Sequence, residues 1–231
     1  MRGHVLRYLG WQIWDRTGPR VLASWFIMLA LTAAVHTGVS RGAPPDESLR
    51  QIMAQLHQQM VFISMILLTH GIVATDRTQG FFRFYFAKPV SPVWFYGQSL
   101  VLAFIGLIAA SAGFVVFASW LIKPLWPWAL VLNAIALFAL FGLLMFVLSM
   151  VTRFDWLFLI LIVVLSLFLR ARWPADKGGA GRVLDAVLPP THLIGWSVHP
   201  TTSQWLWLGG WSLGLFLLGL AILRFRPIGE G

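Results

Sequence analysis

The chain has no cysteine, which excludes disulfides, thiolate metal centres and cysteine-dependent redox chemistry and leaves the redox compartment undecided. Charge is also scarce. Asp, Glu, Lys and Arg make up 11% of 231 residues against 58% hydrophobic residues, with a mean hydropathy of +0.78; a water-soluble core cannot use such a composition, whereas a bilayer-spanning bundle can. No long basic run exists, so the net charge of +9 fits anionic lipid headgroups better than nucleic acid. No Gly-x-x-x-x-Gly-Lys-[Ser/Thr] phosphate cradle occurs either: Gly178-Gly179-Ala180-Gly181 lacks the lysine and the strand-to-helix setting. The chain is therefore not expected to be an enzyme that hydrolyses nucleotides. No internal repeat or low-complexity tract interrupts what reads as one domain. The first residues do not follow a cleavable-signal pattern, so the N-terminus is expected to be retained.

What is present is a series of apolar runs. Measured against the roughly 20 residues that cross a bilayer, six spans are expected, at about Val21–Val39, Met60–Thr75, Gly97–Ile122, Trp128–Val151, Trp156–Leu169 and Trp205–Leu223. The second can continue upstream through Leu49–Gln59, and the fifth is interrupted by Arg170 and Arg172. Trp94, Trp120, Trp126, Trp128, Trp156, Trp173 and Trp205 stand near span ends, where an interfacial belt belongs.

An even number of spans puts both termini on one side. With the N-terminus inside, the inner segments hold ten basic residues (Arg2, Arg7, Arg16, Arg20, Arg77, Arg83, Lys88, Arg153, Arg224, Arg226) and the outer ones seven (Arg41, Arg50, Lys123, Arg170, Arg172, Lys177, Arg182). The excess favours cytoplasmic termini. Residues 1–18 contain Leu6, Leu9 and Ile13 on one helical stripe, as in a helix lying in the inner headgroup layer, and Gly18-Pro19 is expected to break it before the bundle at 19–223.

The segment from Asp76 to Gln98, with the loop proper at 76–96, is charged, aromatic and punctuated by proline between two spans. Phe81, Phe82, Tyr85 and Phe86 can form one face of a short helix that Pro89 terminates, with Arg77, Arg83 and Lys88 around it. Two readings are open: a docking element for a separate motor, or an interfacial aromatic loop with no partner.

Other residues carry weaker signals. His70 stands well inside a predicted span, as a haem ligand, a proton-relay group or, preferably, a hydrogen-bonded packing residue. His36 and His57 read as nearer the outer edge, and His192 and His199 fall in the outer loop; their spacing supports no metal site. Asp155 beside Arg153 reads as a loop pair, a contact to a motor, or simply two solvated neighbours. Gly106, Ala110 and Gly113, and Gly210 with Gly214, offer small faces for close helix packing within the chain or across a dimer.

Taken in order, an interfacial N-terminal segment, six spans, Asp-Arg-x-x-Gly directly after the second span, then Lys-Pro-Val-Ser and Gly-Gln, the chain resembles the permease subunits of ABC-2 type (type V) ABC exporters. Asp76, Arg77, Gly80, Pro89, Val90, Ser91 and Gly97 match that family's loop pattern, while Gln98 replaces its usual lysine and Phe81–Phe86 is more aromatic than is typical. The resemblance implies an all-α membrane protein of ABC-2 permease architecture. It implies a coupling helix built from Asp76, Arg77, Gly80, Phe81, Phe82, Arg83, Tyr85, Lys88 and Pro89, with Arg153 and Asp155 in a second contact. It also implies re-entrant helices within the outer loop at 170–204, where Arg182–Leu188 reads as short and amphipathic.

The implied partners are two copies of an ABC ATPase subunit, which bring ATP and Mg, together with a second permease copy or a homologue and membrane lipids. The implied setting is a bacterial inner membrane and the implied cargo is lipid-like or amphipathic. A non-transporting subunit of a larger membrane assembly, or a haem or metal membrane protein, remains as the alternative.

Overall fold

The computed structural model describes residues 10–39, 46–78, 91–121, 127–174, 178–188 and 201–225, and every regular element among them is helical. In chain order the helices are α1 (Gly18–Val39), α2 (Asp46–Thr69), α3 (Ala74–Thr78), α4 (Pro92–Leu121), α5 (Pro127–Leu137), α6 (Leu143–Val151), α7 (Asp155–Arg172), α8 (Gly179–Val187) and α9 (Thr202–Phe225). A π-helical segment, Gln12–Thr17, precedes α1, and another, Phe138–Gly142, joins α5 to α6. Among the described residues four stretches are long and apolar enough to cross a membrane: Gln51–Asp76, Pro92–Trp120, Ala129–Val151 and Thr202–Arg224. The protein is therefore read as an integral membrane protein. Helix α7 also occupies an expected span, but its 18 residues include Asp155, Arg170 and Arg172.

The helices group into two compact units, the described parts of 1–69 with 89–138 and of 70–88 with 139–231. In the first unit α4 is the centre, packing against α1, α2 and α5. Its buried residues Leu100, Ala103, Leu107, Ala110, Phe114 and Ala118 recur every three or four positions, as one helical face requires. Gly106 and Gly113 make room for α1: a Cβ on Gly106 would stand 2.6 Å from Val21 Cγ2, and one on Gly113 would stand 2.7 Å from the Trp25 ring. These glycines serve packing within the chain.

Helix α2 explains why its span was hard to delimit. Gln51, Gln55 and Gln59 form an exposed stripe, while Met53, His57, Met60, Ser64 and Leu68 are buried on the face that meets the rest of the unit. The span therefore starts well before Met60. His57 lies buried within it, near its start. Its Nε2 is 2.8 Å from Ser111 Oγ, and its ring packs beside Phe114 at 5.1 Å between centroids.

The expected break at Gly18-Pro19 does not occur. Gly18 keeps right-handed helical angles, φ −56° and ψ −52°, and its N–H donates to the Ile13 carbonyl five residues back. This wider register carries the helix into Pro19, which has no N–H to place in the ladder. The glycine is sterically required, because a Cβ would meet the Ile13 oxygen at 2.7 Å. Nearby, the Arg20 guanidinium donates to the Leu68 carbonyl at 3.4 Å, serving an acceptor in the last turn of α2.

In the second unit α6 is central and packs against α3, α7 and α9. Gly219 of α9 sits close to Phe146 and Met150, whereas a Cβ on Gly210 or Gly214 would have no atom of the described residues within 4 Å. Helix α8, at the place expected for an amphipathic piece of the outer loop, packs on α7, and Arg170 donates to the Leu188 carbonyl at 3.4 Å. Leu193–Val198 lies outside the described residues.

Candidate functional site

The second expected span does not run straight into the loop that follows it. Helix α2 ends at Thr69, residues 70–73 form a turn, and α3 restarts at Ala74. Gly71 makes the turn at φ +66°, where an L side chain is strained, and a Cβ there would also overlap Thr75 Oγ1. The helical ladder resumes with Thr75 N–H donating to the Gly71 carbonyl at 3.1 Å. Ile72, Val73, Ala74 and Asp76 are all buried, so this break is packed inside the second unit.

What holds it is a carboxylate 84 residues further along. Thr152 N–H closes α6 on the Leu148 carbonyl at 2.9 Å, Phe154 N–H donates to Thr152 Oγ1 at 3.1 Å, and α7 begins at Asp155. The Asp155 side chain turns inward and is fully buried. Its Oδ1 accepts from His70 Nδ1 at 2.5 Å and from the Trp156 N–H at 2.8 Å, while Oδ2 accepts from the Gly71 N–H at 2.8 Å. A buried carboxylate is costly unless both oxygens are served. Here both are, and its place in the first turn of α7 also suits the helix dipole. Because His70 and Gly71 are joined to the start of α7 by direct hydrogen bonds, this turn and the start of α7 face the same side of any membrane the chain crosses.

This geometry revises two local expectations. Asp155 does not pair with Arg153 and is not solvated; Arg153 is exposed, with its guanidinium 4.7 Å from the Phe154 ring centroid. Asp76 is buried, and the Arg77 backbone lies in α3. Gly80, Phe81, Phe82, Arg83, Tyr85, Lys88 and Pro89, expected to form a coupling helix, lie outside the described residues. His70 takes the hydrogen-bonded packing role expected of it, with 44% of its side chain still exposed. Its partnership with Asp155 has no local signature, since the two stand 85 positions apart.

Among the described residues no three His, Cys, Asp or Glu side chains are grouped so as to hold a metal ion. No protein-family model, curated protein or solved structure matches the chain.

Proposed function

We propose that this chain is the membrane subunit of an ATP-driven transporter, an exporter of a lipid-like or amphipathic substrate that works with a separate ATPase. The observation that carries the reading is the broken end of the second span. A membrane helix stops at a positive-φ glycine, restarts as a short helix bearing Asp76 and Arg77, and is pinned to the start of α7 by Asp155. A subunit driven by a foreign motor needs such an element, because force applied at a loop does useful work only if the loop's base is stiff. The loop sequence that follows, with its resemblance to ABC-2 permeases, supplies the matching surface.

On this reading six helices cross the bilayer. At 1.5 Å rise per residue the 22 residues of α1 and 18 of α7 reach about 33 and 27 Å, close to the hydrocarbon thickness of about 30 Å. Both termini face the cytoplasm of a bacterial inner membrane, and two ATPase subunits carry ATP and Mg. A second copy or a homologue packs against this chain, and the open Gly210 and Gly214 on α9 offer it a close approach. The apolar surfaces of α7 and α9 are consistent with a lipid-like cargo.

Gentle detergent extraction followed by identification of bound proteins tests this directly. An ABC ATPase should co-purify, and Phe82→Ala or Arg83→Ala should lower transport per ATP hydrolysed without unfolding the bundle. Recovery within a large assembly that contains no ATPase would replace the transporter with a structural subunit, and a Soret band in the purified protein would replace it with a haem protein.

A further inference from the structure

The break at Gly71 separates the ladder of α2 from that of α3, so the backbone alone does not make the two helices move together. The short helix α3 is nevertheless not loose. It packs on α6, and the described residues His70–Thr78 cluster with the second unit while Thr69 belongs to the first. The Asp155 carboxylate ties this turn to α7, taking the Gly71 N–H on one oxygen and His70 on the other.

We propose that Asp155 is a fastener that makes the His70–Thr78 segment travel with α7, so that a push on the loop beyond it is delivered to α7 and α6 rather than to α2. This rests on the transporter reading for its purpose, but its mechanics concern this chain alone. Asp155 is thereby a positioning residue, acting through Gly71 and His70 without touching cargo or motor. The chemistry requires a carboxylate. An amide in its place has a single acceptor oxygen, and its NH2 would face either the Gly71 N–H or the donors on the opposite side.

The test is amide hydrogen exchange on the full chain in nanodiscs, comparing wild type with Asp155→Asn, His70→Ala and His70→Gln. Loss of the tie should raise exchange at residues 71–76 about tenfold in Asp155→Asn and leave α4 unchanged. His70→Ala should give a smaller rise, since the bond from Gly71 to Asp155 survives, and His70→Gln should restore protection by returning a donor. Wild-type exchange at 71–76 in Asp155→Asn would overturn the fastener, and so would a rise of equal size in α4, which would mark general destabilisation. Because this measurement needs no ATPase, it decides the fastener by itself. The transporter reading fails separately, by the absence of an ATPase from the co-purified proteins.

Discussion

Gly71 and His57 show how much a single position in this chain can carry. Gly71 sits at φ +66° with Thr75 Oγ1 in the way of any Cβ, so Gly71→Ala should cost about 1–3 kcal/mol, read as a lower midpoint in thermal or SDS-induced unfolding. His57 is buried with its Nε2 on Ser111, while its Nδ1 has no hydrogen-bond partner among the described residues. The tautomer that donates from Nε2 to the serine leaves only a bare acceptor at Nδ1, which is less costly to bury than an orphaned N–H. A double-mutant cycle with His57→Leu and Ser111→Ala should give a coupling of about 1 kcal/mol, the usual range for a hydrogen bond between membrane helices. A value near zero would mean that each side chain finds another partner when the first is removed. Neither role was readable from local pattern: the helical stripe of α2 is clear only once Gln51, Gln55 and Gln59 are seen as its outer face, and Ser111 stands 54 positions away.

Among the helices, glycines that look alike in sequence do different things. Gly113→Ala in α4 drives a methyl into the Trp25 ring and should destabilise by about 1–3 kcal/mol. Gly210→Ala in α9 meets open space and should be neutral or stabilising by up to about 1 kcal/mol, from helix propensity alone. Equal effects at the two sites would contradict the packing of α1 on α4. The positions of α4, α7 and α9 were legible because apolar runs of this length have few other uses. The path through Gly18-Pro19 was not, because the dipeptide ordinarily stops a helix and only a shift to five-residue hydrogen bonding lets it pass. The turn of Asp155 toward His70 was hidden for another reason. A carboxylate next to an arginine reads as a surface pair, and nothing in the neighbouring residues marks the distant N–H groups that draw it inward.

For the molecule as a membrane protein, the hydrogen bonds from His70 and Gly71 to Asp155 constrain topology without reference to hydropathy. The absence of native cysteine makes this testable. Single cysteines at Thr78 and Arg153 should react with an impermeant maleimide from the same side of the membrane, and one at Gly178 from the opposite side. Labelling of Thr78 and Gly178 from one side would remove α7 from the set of crossing helices. Composition made the membrane assignment legible, but the division into two units was not, since it falls inside the unbroken stretch Ala129–Val151, at the wide turn Phe138–Gly142. Within that turn the Ala139 carbonyl lies 3.2 Å from Ser212 Oγ on α9. The same hydroxyl lies 2.6 Å from the Leu208 carbonyl of its own helix, so its one proton is shared between α9 and the wide turn. Because that proton keeps an acceptor within α9 itself, a shift of the last helix along the wide turn strands no hydroxyl, and the contact favours one position without locking it.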